Sequence, residues 1–140
     1  MRWIMLAALA LPMAACAQTT NNSETELGTR EARDLAKAIE GKVPGEPVSC
    51  VNADRGGANL RPIGDHTLIY KVSNDLVYRN NLQGACRGLA QGDTLVLNRT
   101  TSQYCRGDIA RVVNLPSGMP SGSCALGDFI PYRTPGAGNR

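Results

Sequence analysis

Residue types on which catalytic sites depend are scarce in this sequence. Its 140 residues include one histidine, one phenylalanine and one tryptophan. There is no G-x-S-x-G nucleophile elbow, no P-loop, no H-E-x-x-H zinc motif and no C-x-x-C pair. These absences argue against the usual serine hydrolases, P-loop nucleotide-binding proteins, zinc proteases and dithiol oxidoreductases. The single phenylalanine and single tryptophan also leave few large aromatic side chains for a core.

The apolar stretch at the start of the chain is short. Residues 4–11 are wholly apolar and follow Arg2. A transmembrane helix needs about 20 apolar residues, so this stretch is too short to span a bilayer. A basic residue followed by a short apolar segment is typical of a secretory signal peptide. We therefore predict that residues 1–15 are a signal peptide.

Cys16 follows this stretch in the sequence MAAC, which allows two processing schemes. A lipoprotein signal peptidase would cleave before Cys16 and leave it as a lipid-bearing N-terminus. Cleavage after Ala17 at an A-x-A site would instead remove Cys16 and release a soluble periplasmic protein. We predict lipidation of Cys16 and attachment to the periplasmic side of a membrane. By resemblance to bacterial sorting rules, the lack of aspartate after Cys16 favours the outer membrane.

The rest of the chain divides into a polar segment and one domain. Residues 16–28 are polar and lack a hydrophobic period, which predicts a lipidated N-terminus and flexible tether. Residues 29–140 are predicted to form a single disulfide-bonded domain. Four cysteines lie within it. Export favours disulfides, and a zinc site is disfavoured because no two of these cysteines are close in sequence. These cysteines are Cys50, Cys86, Cys105 and Cys124.

The four cysteines allow three disulfide pairings. In a closed antiparallel barrel the first and last strands are neighbours, which would bring Cys50 close to Cys124. Cys86 and Cys105 flank the strand-like run TLVLN and could join its two ends. A simple up-and-down meander would instead place Cys86 and Cys124 at the same end. Because closure removes exposed sheet edges, we predict Cys50–Cys124 and Cys86–Cys105.

One short amphipathic helix is predicted at TREARDLAKAIEGK. Thr29 is placed to cap its start and Gly41 its end. So short a helix is marginal alone and must bury its apolar stripe on the rest of the domain. The apolar residues recur at i, i+3, i+4 and i+7, namely at Ala32, Leu35, Ala36 and Ile39.

The dipeptide Gly-Asp occurs four times, and each pair precedes a run rich in β-forming residues. The pairs lie at 64–65, 92–93, 107–108 and 127–128. Glycine and aspartate favour turns, so each pair predicts a turn that enters a strand. A hairpin at 67–80 and the run PVSCV bring the total to about six strands. The predicted fold is mainly β: a small antiparallel barrel or sandwich, preceded by the helix.

Residues 48–132 resemble a known family. The resemblance lies in the segments CVN, DHTLIYKV, QYCRGDIARVVN and GSCALGDFIPY. They are similar to a family of small exported proteobacterial proteins, often lipoproteins, that is described only as a domain of unknown function. That family usually has proline after the cysteine at position 86, where this chain has Arg87. The resemblance implies a cell-envelope context and no particular reaction.

The charge of the chain is mildly basic towards its C-terminal part. The formal net charge is +3, and from Cys50 onward ten basic side chains face six acidic ones. This balance is compatible with an envelope protein or an anionic lipid as partner, or with an ordinary solvated surface. No block of like charge occurs, and we predict no nucleic-acid partner.

His66 is the one histidine, and it follows Asp65 at the start of a predicted strand. A histidine oriented by a carboxylate can act as a general base. Adjacent strand residues point to opposite faces, however, so these two side chains are not expected to pair. We predict a noncatalytic envelope lipoprotein that binds a protein or envelope component, with no catalytic residue, cofactor or metal. The alternative is a small periplasmic enzyme that uses His66 with Arg61, Asp65 or Tyr70.

Overall fold

The structure, a computed structural model, describes residues 28–53, 60–98 and 101–137. The predicted signal peptide, Cys16 and nearly all of the tether lie outside these residues. No helix within the described ranges combines the length and apolar character needed to cross a bilayer.

The helical elements are α1 (Thr29–Ala38) and a 3-10 turn (Leu89–Gln91). The strands are β1 (Val43–Pro44), β2 (Cys50–Asn52), β3 (Leu60–Ile63), β4 (Thr67–Lys71), β5 (Leu76–Asn81), β6 (Thr94–Leu97), β7 (Gln103–Cys105), β8 (Ile109–Asn114), β9 (Met119–Ala125) and β10 (Phe129–Arg133).

The ten strands form three antiparallel sheets. The largest has five strands in the order β1-β10-β5-β4-β3, another has the order β6-β8-β9, and β2 pairs with β7. All three sheets contribute to one main core, so the described residues have a sandwich-like arrangement of open sheets. The predicted mainly-β antiparallel class is confirmed. Of the two predicted architectures, barrel and sandwich, the structure is sandwich-like.

The two faces of the five-stranded sheet have different partners. Along β4, Leu68 and Tyr70 belong to the main core, whereas Ile69 between them belongs to a smaller cluster on the other face. This division follows from the alternation of side chains along a strand. The smaller cluster contains one residue of α1 and three of the sheet, namely Leu35, Ile63, Ile69 and Val77.

The helix forms where predicted, but its start and its buried stripe differ. Gly28 precedes the helix as N-cap, and the Glu31 carboxylate accepts a hydrogen bond from its backbone N–H at 2.8 Å. The cap predicted at Thr29 is therefore wrong by one residue. Ala32 and Ala36 are exposed, and the contacts with the sheet come from another set of residues. That set consists of Leu35, Ala38 and Ile39.

The predicted turns into strands are confirmed. Three Gly-Asp pairs lie immediately before a strand, β6, β8 or β10, and the pair at 64–65 is separated from β4 by His66 alone. The hairpin of β4 and β5 covers the predicted segment. Sequence reasoning missed β1, β3, β7 and β9. Three of these contain prolines, Pro44, Pro62 and Pro120, in strands at a sheet edge, where a missing N–H need not break a ladder. A run such as MPSGSCA looks like a loop in sequence and forms a strand because it pairs with β8.

The disulfides differ from the predicted pairing. Cys50 is bonded to Cys105, and Cys86 is bonded to Cys124. The prediction that these four cysteines form two disulfides is confirmed, and the pairing Cys50–Cys124 with Cys86–Cys105 is wrong.

The error came from assuming that the sheet closes into a barrel. Instead, β2 pairs with β7, and the register places Cys50 directly opposite Cys105. A bridge between Gln83 and Ala125 brings the segment that precedes Cys86 beside the end of β9. Strand pairing thus selects both bonds, because a disulfide requires its two Cα atoms to lie within a few ångströms of each other.

Candidate functional site

A groove opens on the helix-covered face of the five-stranded sheet. Its volume is about 830 Å³, and it is lined by α1, the turn after it, β3, β4, the β4–β5 turn and the start of β5. The apolar part of the lining includes Ala38, which is half-buried, and the buried Ile69 and Val77. Ligand sites commonly have volumes of about 300–1,000 Å³, so this groove has the size of a small-molecule site.

The charged lining of the groove is predominantly cationic. Lys37, Lys42, Arg61 and Lys71 contribute four positive charges, and Asp34 contributes one negative charge. The chain has only three lysines among its 15 basic residues, and all three line this groove.

Strand register and helix docking explain how these cations come together. Arg61 is the cross-strand partner of Ile69, so both side chains lie on the same face of the sheet. Lys71 is two residues beyond Ile69 on β4 and lies on that face too. Lys37 is in the last turn of α1, and Lys42 follows shortly after the helix. Docking of α1 on this face therefore completes the cationic lining.

Direct ion pairs do not neutralise these cations within the described residues. The one pair within 4 Å there joins Arg106 Nη1 to Asp128 Oδ2 at 3.4 Å, and it involves none of the groove residues. Lys42 Nζ donates a long hydrogen bond of 3.4 Å to the backbone carbonyl of Glu40. The groove thus keeps a positive charge that an anion could balance.

The residues of the enzymatic alternative do not converge. His66 lies in the turn between β3 and β4 rather than on a strand. The neighbouring Asp65 carboxylate accepts a hydrogen bond from the backbone N–H of Ala90 at 2.8 Å, which anchors the 3-10 turn. Tyr70 is fully buried in the main core and donates a hydrogen bond of 2.9 Å to the carbonyl of Asn52.

Arg61 and Tyr70 lie on opposite faces of the sheet. Arg61 pairs across the strands with Ile69, and Tyr70 pairs with Leu60 one position along. Because successive residues alternate between faces, a substrate on one face could not contact both side chains. Of the four residues in this alternative, the groove contains Arg61 alone.

The aspartates of the Gly-Asp pairs serve the backbone and neighbouring loops. The Asp108 carboxylate accepts a hydrogen bond from the N–H of Cys105 at 2.8 Å. Asp93 accepts one from the side-chain amide of Asn114, also at 2.8 Å. Across the described residues, no three histidine, cysteine or acidic side chains are grouped so that they could hold a metal ion.

The segment CALGDF, part of the family resemblance, is also held by structural contacts. Asn80 is fully buried, and its side chain donates to the Gly127 carbonyl at 2.8 Å and accepts from the Gly127 N–H at 2.9 Å. A Cβ at position 127 would collide with the backbone carbonyl of Asn81. Glycine is therefore required where these two backbone segments approach each other.

Sequence reasoning missed the groove because its residues come from distant parts of the chain. Lys37, Arg61 and Lys71 show no charge run in the sequence. One signal was available: in a chain rich in arginine, two of the three lysines lie at the end of the predicted helix and the third ends a predicted strand. Only the docking of α1 on β3 and β4 shows that they share one site.

Comparison with known proteins gives a family and no function. A family model described as a family of unknown function (DUF6491) matches residues 1–128. No curated protein and no solved structure matches the chain.

Proposed function

We propose that this chain, which belongs to the DUF6491 family of unknown function, is a lipid-anchored protein of the bacterial cell envelope that acts by binding rather than by catalysis. The proposal has three parts: export with lipidation of Cys16, a location on the periplasmic side of the outer membrane, and a folded domain that presents a binding site. Each part has its own support.

The sequence MAAC behind a short apolar leader is the observation that carries the proposal. A lipid on Cys16 would hold the domain at the membrane, since each buried acyl CH₂ contributes about 0.8 kcal/mol. The two disulfides support export as well, because disulfides persist mainly in oxidising compartments.

The groove and the dispersed polar residues support binding over catalysis. Acid–base catalysis needs groups within hydrogen-bond reach of the same reacting atoms. The carboxylate beside His66 is instead bonded to the Ala90 amide, and Tyr70 lies on the far face of the sheet from Arg61. The groove offers several cations and an apolar floor, which suit recognition of an anionic envelope component.

Cys16→Ser in cells that express the full chain tests the anchor. We expect the wild-type protein in the outer-membrane fraction and the variant in the soluble fraction or as an unprocessed precursor. Ala17→Leu is the matched control, because it spoils the A-x-A site and leaves Cys16 in place. It should stay membrane-bound with a lipid-modified N-terminus. An unmodified N-terminus at Gln18, found by mass spectrometry of the wild-type protein, would refute lipidation.

A further inference from the structure

We propose that the groove between α1 and β3–β4 binds an organic ligand that carries two phosphate groups. The ligand class covers a free bisphosphate and the headgroup of a diphosphorylated lipid. The inference rests on the proposed function only in taking the domain to be a binding module. It does not depend on where the protein is anchored.

The charge of the groove defines the ligand's charge. Four cations and one carboxylate give the lining a net charge of +3. A phosphate monoester carries about −1.5 to −2 at neutral pH and a phosphodiester about −1, so two phosphate groups supply about −2 to −4, a range that covers what is needed to balance this charge. A single inorganic phosphate would leave much of it unbalanced and would occupy a small part of the 830 Å³.

Lysine and serine chemistry favours phosphate oxygens as the groups that are recognised. A lysine ammonium is a mobile point charge with three donors and is a common phosphate ligand. Ser73, also in the lining, accepts hydrogen bonds from the N–H groups of Asp75 and Leu76 at 3.2 and 3.1 Å. Both acceptor positions of its hydroxyl are thereby used, so what it offers a ligand is its O–H donor.

The apolar part of the lining favours a ligand with a carbon framework between its phosphates. Ala38 is half-buried at the groove, on the same face of the sheet as the buried Ile69 and Val77. An inorganic polyphosphate would leave this apolar surface without a partner. A sugar ring or a glycerol backbone would cover it while the phosphates contact the surrounding lysines.

Binding can be measured on the full chain carrying Cys16→Ser, which keeps the domain intact and removes the proposed anchor. The free ligand is represented by fructose 1,6-bisphosphate, and the lipid headgroup by vesicles of cardiolipin in phosphatidylcholine. Citrate serves as a polycarboxylate of similar charge, and inorganic phosphate as the single-anion control. We expect saturable binding to at least one of the two bisphosphate probes and weaker binding to citrate and inorganic phosphate.

Two triple variants separate the groove from general electrostatics. Changing all three lysines to glutamine should weaken binding by about tenfold or more, since exposed charge pairs contribute up to about 1 kcal/mol each. The control removes three exposed arginines outside the groove and should change binding by much less. The groove variant is Lys37→Gln/Lys42→Gln/Lys71→Gln, and the control is Arg87→Gln/Arg111→Gln/Arg133→Gln.

Asp34→Asn gives a test in the opposite direction. It removes the one carboxylate of the lining, so binding should become tighter by a few-fold. Glu46→Gln removes an exposed carboxylate outside the groove and serves as its control. This pair keeps the proposal testable even if the triple lysine variant folds poorly.

Binding to the sugar bisphosphate alone would identify a free ligand, and binding to cardiolipin vesicles alone a lipid headgroup; either supports the proposal. Equal loss in the two triple variants, citrate binding as tight as that of the bisphosphates, or no binding to either bisphosphate probe would overturn it. These outcomes are independent of the membrane fractionation of Cys16→Ser, so failure of the ligand proposal and failure of the anchor proposal are distinguishable.

Discussion

The two faces of the five-stranded sheet are built in different ways. One face packs into the main core, which all three sheets share and which contains the Cys86–Cys124 disulfide. The other face is covered by a single ten-residue helix that contributes one buried side chain, Leu35. The first face is sealed by packing, whereas the second leaves a groove open to solvent.

This difference separates the residues that maintain the fold from those available for binding. Most of the segments that carry the family resemblance, such as CALGDF, lie in or beside the main core and make backbone contacts there. The lysines are all on the helix-covered face. A thinly covered face with a surplus of cations in its groove is where a ligand can gain contacts without disturbing the core.

Removal of the core disulfide should cost the most. Each disulfide is worth about 4 kcal/mol from loop closure, and separations of 38 and 55 residues differ in this respect by only about 0.3 kcal/mol. Cys86 is fully buried, whereas Cys50 is exposed. We therefore expect Cys86→Ala/Cys124→Ala to lose about 1–2 kcal/mol more in urea unfolding than Cys50→Ala/Cys105→Ala, because it also creates a core cavity.

The disulfide connectivity itself can be checked by nonreducing peptide mapping. Recovery of Cys50 joined to Cys105, and of Cys86 joined to Cys124, is the expected result. For the stability comparison above, equal losses from the two double variants would show that burial of the Cys86–Cys124 disulfide adds nothing to the stability it provides.

Leucine truncations compare the two faces directly. Leu68 is fully buried in the main core, and Leu35 on the helix is 8% exposed. We expect Leu68→Ala to cost about 4 kcal/mol and Leu35→Ala about 2 kcal/mol, the upper and lower parts of the usual range. Leu115→Ala, at a leucine that is 67% exposed, is the control and should stay within about 0.5 kcal/mol.

Hydrogen exchange sharpens this comparison of the two faces. In Leu35→Ala, amides of α1 should lose protection while those of β4 keep it, because the helix can detach without opening the core. Simultaneous loss of protection in both elements would mean that the two faces unfold as one unit.

The smallest effects are expected at the turn between β3 and β4. Asp65→Ala should cost about 0.5–1.5 kcal/mol because the exposed hydrogen bond from the Ala90 N–H is lost. Asp65→Asn, which retains an acceptor oxygen, should cost less.

His66→Gln should change both stability and cellular phenotype by little, within about 0.5 kcal/mol for stability. Loss of phenotype in a stable His66→Gln protein would favour the enzymatic alternative instead.

Local chemistry made several elements predictable from the sequence. The Gly-Asp pairs identified four strand entries because glycine permits a tight turn and aspartate accepts nearby hydrogen bonds. The helix was predictable from its apolar spacing. The strands β1, β3, β7 and β9 were missed because they are short or contain proline, glycine and serine, and their pairing partners define them.

The sequence by itself determined the fold class, the turns that enter four of the strands, and the presence of four cysteines able to form two disulfides. Those features depend on residue type and on spacing of a few residues. The tertiary structure alone decided which cysteines pair, because strand register places Cys50 opposite Cys105. It also placed Arg61 and Tyr70 on opposite faces and gathered the three lysines into one groove. Those outcomes depend on contacts between segments far apart in the chain, which local pattern does not encode.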